Sequence, residues 1–308
     1  MTRRNFAPPP RWSDDQLEHD RRKAIDLFKE ERLTEGPRAY AREFDAVEPL
    51  VRRLFGESRD LRRFTAAMLS RDKSLVAAAR FLCGPPVSED DLQTLIDDRL
   101  SGWPIERAVA SRLVRVLRAS WDPRRFPWLA VAREPKDAER EAAVLWTAGL
   151  WAAERARTGR RTKRSKLQER HVAQALTGAQ YRVQPRASRP SEIRVLDDLE
   201  RGRFTAETRL AGAKCDMPVR LKDGRLLAIE CKVSNSSVNS VKRLVRETGG
   251  KASKWRQEFG AQVVPAAVLT GVFNQVNLMD AQNGHDVTLF WEHDLLPLQK
   301  FVRGASGE

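Results

Sequence analysis

One short apolar segment restricts the fold of this chain more than any other feature. Residues 226–233 read Leu-Leu-Ala-Ile-Glu-Cys-Lys-Val, which is typical of a buried β-strand except for two charged side chains. Because side chains alternate along a strand, Glu230 and Lys232 share one face and Cys231 lies on the other. A buried carboxylate costs several kcal/mol unless it is paired or binds a cation. The segment therefore predicts a strand that carries a functional charge into the core.

A second carboxylate lies on the strand predicted to pair with this one. Asp216 lies within the predicted strand 214–221, and the tripeptide Lys222-Asp223-Gly224 separates that strand from 226–233. Asp-Gly tolerates the positive backbone angles of a tight hairpin turn. Carboxylate oxygens are the ligands that hard divalent cations prefer. Asp216 and Glu230 are therefore predicted to form a divalent-cation site with the Lys232 ammonium beside it.

The periodicity of apolar residues divides the chain into two halves. Residues 13–160 show helical spacing, with breaks predicted at Gly36-Pro37 and at later Gly and Pro positions. After a basic linker, residues 161–308 alternate predicted helices (165–177, 237–248) with predicted strands (204–210, 214–221, 226–233, 263–270, 287–291). We expect an α+β protein in which an all-helical domain, 1–160, precedes a mixed α/β domain, 161–308.

The composition excludes several classes of protein. The chain has 308 residues, of which 41% are hydrophobic and 32% charged, so globular domains with real cores are expected. Three widely spaced cysteines and four histidines support neither a disulfide framework nor a zinc site. No apolar stretch approaches the roughly 20 residues of a membrane span, and the N-terminal residues lack the apolar core of a signal peptide. We expect a cytoplasmic protein without a membrane partner.

The charge balance predicts a polyanionic partner. The formal net charge is +14, and residues 161–308 hold 25 Lys and Arg against 16 Asp and Glu. Eight basic residues and one acid lie between Arg155 and Arg170, and a second basic group runs from Lys242 to Arg256. Double-stranded DNA, whose phosphates are negatively charged, is a natural ligand for such a positively charged surface. A solvated, arginine-rich surface without a partner is the alternative interpretation.

The order of predicted elements resembles a known nuclease core. A helix, a hairpin with Asp216 on one strand and Glu230-Cys231-Lys232 on the next, then a helix and a strand resemble the PD-(D/E)xK nuclease superfamily, although Cys215 stands where that motif has Pro. The resemblance implies Mg²⁺ held by Asp216, Glu230 and the backbone carbonyl of Cys231. It also implies that Lys232 holds and helps to deprotonate the attacking water, and that Glu169 on the preceding helix adds an acid to the site.

Stretches of the first half are similar to one family within that superfamily. Residues 10–13, 26–33, 40–44 and especially 81–92, Phe-Leu-Cys-Gly-Pro-Pro-Val-Ser-Glu-Asp-Asp-Leu, resemble the XamI-type restriction endonucleases. The resemblance implies a type II enzyme that cuts a short palindromic DNA duplex, together with a cognate DNA methyltransferase. Two symmetric cuts at a palindrome favour a homodimer, with the helical domain contributing to recognition or to the dimer surface.

Residues that contact DNA are harder to identify. Basic residues of the linker and of the predicted helix after Lys232 are expected to bind phosphate, and the Ser- and Asn-rich segment 234–240 lies directly after the motif, where it would meet bound DNA. A helix cap is an equally good interpretation of that segment. The predicted DNA contacts are Arg160, Arg161, Lys163, Arg164, Ser234, Asn235, Ser237, Asn239, Lys242 and Lys254.

Two other functions are compatible with the same residues. A repair or junction-resolving nuclease on this core would recognise branched or damaged DNA in place of a sequence. A non-catalytic DNA-binding protein would use the acidic cluster only as structure. Discrete fragments from a large linear DNA would distinguish a restriction enzyme from both.

Overall fold

The computed structural model describes residues 6–306, with the exception of five side chains. Those side chains belong to Arg161, Arg186, Asn239, Ser240 and Arg243. The α-helices are α1 (Asp14–Glu57), α2 (Ala66–Arg71), α3 (Lys73–Ala79), α4 (Glu89–Ile96), α5 (Arg107–Ala119), α6 (Pro127–Ala130), α7 (Asp137–Gly178), α8 (Ser237–Ser240), α9 (Gly250–Phe259), α10 (Gln275–Met279) and α11 (Leu296–Gly304). A π-helix, Val241–Gly249, connects α8 to α9. Among these residues, no helix is both long enough and apolar enough to cross a membrane.

The strands form two sheets. They are β1 (Arg182–Val183), β2 (Glu192–Ile193), β3 (Arg203–Phe204), β4 (Thr208–Leu210), β5 (Ala213–Cys215), β6 (Met217–Arg220), β7 (Leu226–Asn235), β8 (Val263–Val272) and β9 (Thr288–Trp291). A mixed six-stranded sheet has the order β1-β3-β6-β7-β8-β9, in which β7, β8 and β9 are parallel and β6 is antiparallel to β7. A three-stranded sheet has the order β2-β4-β5. The predicted α+β class, with helices first and a mixed sheet after them, is confirmed.

The chain divides into two compact units whose limits differ from the predicted domains. One unit is residues 33–160, and the other combines residues 1–32 with 161–308. The predicted boundary near residue 160 coincides with this division, but the first 32 residues group with the sheet. The reason is apolar burial: Leu17 and Ala24 of α1 lie in one cluster with Ala267 and Leu269 of β8.

Two predicted helix breaks are absent. The predicted break at Gly36-Pro37 lies inside α1, and the predicted basic linker lies inside α7. A proline inside a helix costs about 3 kcal/mol, but α1 recovers this by burying Val47, Val51 and Leu54 in the core of the helical unit. Burial thus overrides the local preference of the proline.

The helical unit has its own core, to which its tryptophans contribute unequally. Trp128 and Trp151 are buried, Trp103 and Trp121 are half-buried, and Trp146 is 54% exposed. Trp146 is therefore not a core residue, although it lies among apolar residues of α7, because its face of this helix is exposed to solvent.

The six-stranded sheet lies between two layers of helices. On one face, Ile229 and Cys231 pack with Val172 of α7 and Phe301 of α11. On the other face, α9 contributes Ala252 to the cluster that contains Ala267 and Leu269. The alternation predicted for β7 is therefore confirmed, and Glu230 lies on the face opposite Ile229 and Cys231.

Candidate active site

The β6–β7 hairpin fixes the relative position of the two predicted acids. Its turn is closed by a hydrogen bond from the Gly224 amide to the Leu221 carbonyl, 3.0 Å, and Gly224 has φ +97°. Met217 pairs with Ile229, so the same register continued by one residue sets Asp216 opposite Glu230. The predicted Asp-Gly hairpin is confirmed.

Asp216 occupies a bend where the chain changes sheets. It lies between β5, which pairs in the small sheet, and β6, which pairs in the large one. Its Oδ2 accepts a hydrogen bond of 2.8 Å from the backbone amide of Cys231. This bond joins Asp216 directly to the Glu230-Cys231-Lys232 tripeptide.

Glu230 is fully buried and only half satisfied. Its Oε2 accepts hydrogen bonds from Lys232 Nζ and from Lys251 Nζ, each 2.7 Å long. Its Oε1 is buried and has no hydrogen-bond partner among the described residues. A buried carboxylate oxygen without a protein partner is uncommon, and this one can accept a hydrogen bond or bind a cation.

The acids of this cluster repel one another. Burial raises the pKa of Asp216, and the charge of Glu230 raises it further. Burial likewise raises the pKa of Glu169, and the next largest cause is the charge of Asp216, so Glu169 is close enough to interact with the site. This repulsion favours binding of a cation.

Lys232 is an ammonium group in this environment. Burial by itself lowers the pKa of Lys232, but the charge of Glu230 and the hydrogen bond to it outweigh burial, and the net pKa lies above its ordinary value. Lys232 is therefore a hydrogen-bond donor here, suited to orienting a water. The predicted help with deprotonating that water would require the neutral amine, which this environment disfavours.

The donor set fits a hard divalent cation. Asp216 and Glu230 supply carboxylate oxygens, and the unpartnered Oε1 of Glu230 is available to a ligand. The Cys231 side chain packs in the apolar cluster on the face of β7 opposite Glu230, so its sulfur points away from the two acids, and the backbone carbonyl of Cys231 stays a predicted ligand. The described residues contain no group of three or more His, Cys, Asp and Glu side chains placed to hold a metal, so Glu169 does not complete such a group.

Two further residues of this region were not predicted to belong to the site. Lys251 of α9 reaches Glu230, although the sequence identified it only as one of several basic residues. Gln168 of α7 is buried, and its amide donates to Val268 O at 2.9 Å, to Thr270 Oγ1 at 2.8 Å and to Lys232 O at 3.4 Å. Gln168 thus fixes α7 to the strands that carry the site.

The predicted phosphate contacts in α7 differ in their availability. Lys163 is exposed. Arg164 forms ion pairs with Glu292, 2.9 Å away, and with Glu31, 3.5 Å away. Its guanidinium is therefore already engaged within the protein. Arg160 is half-buried, with its Nε 3.3 Å from a backbone carbonyl of its own helix. The side chain of Arg161 lies outside the described residues.

The predicted contacts after Lys232 also divide into two groups. Asn235, Ser237, Lys242 and Lys254 are exposed, and Oδ1 of Asn235 accepts a hydrogen bond from Arg32, 3.0 Å. Ser234 is buried, where its hydroxyl donates to the Ser236 carbonyl, so its predicted contact with DNA is not favoured. The side chain of Asn239 lies outside the described part of the chain.

Comparison with known proteins agrees with this chemistry. The model of the XamI restriction endonuclease family matches residues 59–291. The type II restriction enzyme XamI of Xanthomonas campestris pv. amaranthicola is 36% identical over 271 residues, which are 85% of this chain and 97% of that enzyme. No solved structure matches the chain. The chain therefore belongs to the XamI restriction endonuclease family and is a site-specific deoxyribonuclease.

Proposed function

We propose that this chain is a type II restriction endonuclease with a PD-(D/E)xK core, which hydrolyses both strands of DNA at a short palindromic site and depends on Mg²⁺. The observation that carries the proposal is Glu230: a fully buried carboxylate with one unpartnered oxygen, opposite Asp216, in a chain of a restriction endonuclease family. The buried Glu230 is not needed for packing, because an apolar residue would fill its strand position at lower cost.

The residues of the site have separate roles. Asp216, Glu230 and the Cys231 carbonyl would hold Mg²⁺, which when bound polarises the scissile phosphate and acidifies a water. Lys232 orients the attacking water through its ammonium group and stabilises charge on the phosphate. Glu169, whose raised pKa reflects burial and the charge of Asp216, is a further acid beside these groups.

The reaction is a displacement at phosphorus. The oxygen of water forms a bond to phosphorus while one phosphorus–oxygen ester bond breaks, and its electron pair remains on the leaving ester oxygen. The proton lost by the water is released to solvent, and the leaving oxygen takes one up. Oriented donors such as Lys232 act where negative charge grows during this displacement.

DNA would be held by the exposed members of the predicted set. Lys163, Lys242 and Lys254 are exposed cations suited to phosphate, and Asn235 and Ser237 are exposed polar residues suited to phosphate or base edges. Arg164 would contribute only after releasing Glu292. These assignments rest on exposure and charge.

A palindromic site also implies assembly. One core holds one scissile phosphate, so two symmetric cuts favour a homodimer on DNA. Among the tryptophans of residues 33–160, Trp146 is the most exposed and is available to a dimer surface, whereas Trp128 is buried. A cognate DNA methyltransferase would protect the host's own copies of the site.

The proposal is tested by incubating the purified protein with a large linear DNA and Mg²⁺. We expect discrete fragments, and their ends identify the site and the position of the cut. No fragments should appear in chelator, because Asp216 and Glu230 then lack their cation. Preferential cutting of flaps or junctions would favour a repair nuclease, and binding without cutting would favour a structural role for the acids.

A further inference from the structure

Glu230 has one positively charged partner more than the site chemistry described above uses. Lys232 and Lys251 both donate to Oε2 of Glu230, while Oε1 has no partner among the described residues. One ammonium is enough to neutralise one carboxylate. Two ammonium groups on the same oxygen also repel each other, so the second needs a reason of its own.

The position of Lys251 is set by the packing of its helix. In α9, the neighbouring Ala252 is buried, and Trp255 is buried one turn further on, where its indole donates to the Leu210 carbonyl at 3.0 Å. Lys251 itself retains 25% of its side-chain exposure, more than Lys232 with 12%. A rigid helix thus presents a flexible ammonium that reaches Glu230 and is still accessible from outside.

A count of charges separates the DNA-free site from the cleaving one. Asp216 and Glu230 carry two negative charges, and Lys232 and Lys251 carry two positive charges, so these four residues together are neutral. With Glu169 counted as well, a divalent cation and one phosphate would bring the whole set of charges to zero, whereas without Lys251 the set would carry one negative charge. The phosphate gains a further negative charge as the water loses its proton and its oxygen bonds to phosphorus, so a positive charge at Lys251 favours this step.

We propose that Lys251 is a second catalytic lysine, which is held by Glu230 in the DNA-free enzyme and binds an oxygen of the scissile phosphate once Glu230 binds the divalent cation. This inference rests on the proposed metal-dependent cleavage. The exchange of partners follows from electrostatics: a cation on Glu230 weakens its attraction for Lys251, and the phosphate offers a new anionic acceptor. Lysine is well suited to this exchange because it binds phosphate as a compact point charge on a flexible stem.

A purely structural Lys251 would behave differently. If it only neutralised Glu230, its loss would remove a competitor of the cation. The enzyme would then reach half its maximal rate at a lower Mg²⁺ concentration, and the maximal rate itself would be unchanged. A phosphate-binding Lys251 lowers the maximal rate even when Mg²⁺ is saturating.

The test is single-turnover cleavage, with the full-length enzyme in excess over a duplex that contains one mapped site. The rate is measured over a series of Mg²⁺ concentrations for wild type, Lys251→Gln, Lys251→Arg and the control Lys300→Gln, which alters an exposed lysine of α11. Glutamine keeps a hydrogen-bond donor, on a side chain that is one bond shorter, and removes the charge. We expect Lys251→Gln to lower the cleavage rate at saturating Mg²⁺ by about 100-fold. Lys251→Arg should cleave at least about tenfold faster than Lys251→Gln. Lys300→Gln should cleave at the wild-type rate.

The outcomes separate this inference from the proposed function. If the wild-type enzyme cuts no DNA with any divalent cation, the proposed function fails. If it cuts and Lys251→Gln reaches the wild-type saturating rate, the inference is overturned and the proposed function stands. Circular dichroism and thermal unfolding establish whether each variant is folded. Should Lys251→Gln not fold, Lys251→Met takes its place in the same series, and a wild-type saturating rate for that variant overturns the inference equally.

Discussion

Each of the two compact units buries a charged side chain, but they treat it in opposite ways. In the helical unit, Arg125 is 4% exposed, and its guanidinium donates to the carbonyls of Phe81, Leu82 and Cys83 at 2.7–2.8 Å. Its Nε, the one nitrogen without a hydrogen bond among the described residues, lies 3.5 Å from the carboxylate of Asp122. Arg125 therefore joins three consecutive carbonyls to a neighbouring turn.

Glu230 in the other unit is 0% exposed, yet it is not satisfied in this way. Two lysines share one of its oxygens, and the other oxygen has no partner among the described residues. Arg125 thus has most of its contacts filled by its own chain, as expected of a buried ion that serves the fold, whereas one oxygen of Glu230 is left for the proposed cation.

The largest expected effect is on cleavage at Glu230. Glu230→Gln keeps the shape and one acceptor but removes the charge that we propose holds the cation, so we expect the cleavage rate to fall by roughly 1,000-fold. DNA binding should persist, because the substitution removes a negative charge that repels the DNA phosphate. Single-turnover cleavage and a gel-shift measurement on the same duplex check both statements. Cleavage within tenfold of wild type would remove Glu230 from the metal site.

The matching change in the helical unit should act on stability alone. Arg125→Met removes the guanidinium donor from the carbonyls of Phe81, Leu82 and Cys83, of which Leu82 keeps the Asp122 amide, and leaves Asp122 without its buried partner, which costs about 3–5 kcal/mol. Urea unfolding measures this loss, and cleavage per folded molecule should be unchanged. Arg124→Met is the control: Arg124 also pairs with Asp122, at 3.1 Å, but its side chain is 85% exposed, so its removal should cost less than about 1 kcal/mol. If Arg125→Met and Arg124→Met lowered the free energy of unfolding equally, burial of Arg125 would not explain its contribution to stability.

The smallest effect expected is a gain of stability at Asp216. Burial and the charge of Glu230 raise the pKa of Asp216, so the folded protein binds this proton more tightly than the unfolded chain does. The free energy of unfolding therefore decreases as the pH rises from the ordinary pKa of an aspartate through the raised one. Asp216→Asn keeps an acceptor for the Cys231 amide and removes the repulsion, so we expect it to be more stable at neutral pH by about 1 kcal/mol.

Urea unfolding of wild type and Asp216→Asn from mildly acidic to neutral pH checks this sign. The two curves should converge at acidic pH, where Asp216 is protonated, and separate as the pH rises. The variant should not cleave. A variant that is less stable at neutral pH would show that Asp216 contributes to the fold as Arg125 does.

The sequence predicts local features of the site better than distant ones. Alternation in β7, the Asp-Gly turn and the pair Asp216 and Glu230 all depend on neighbours along one hairpin, so they can be read from residue order. Lys251 lies 21 residues after Glu230 and meets it only because α9 packs on the sheet. No local pattern distinguishes it from the other lysines of that segment.

Burial also explains where the predicted elements differ from the observed ones. Pro37 lies within α1 and the basic residues 155–170 lie within α7, because apolar residues further along both helices pack into cores. Helix propensity describes the local effect of a proline or of a run of charges. It does not include the stabilisation that the same helix gains by burying apolar residues several turns away. The same limit applies to Trp146, whose exposure depends on which face of α7 is covered.

The hairpin register has a consequence for how relatives of this enzyme are found. Asp216 and Glu230 are fourteen residues apart only because that number of residues separates opposite positions across this turn. Adding one residue to each strand, or lengthening the turn, would change the interval and leave the carboxylates opposite each other. A single insertion within β6 would move Asp216 to the other face and inactivate the enzyme. We therefore expect insertions and deletions in this hairpin to be tolerated according to strand parity, so a search for relatives should allow the gap between the two acids to vary.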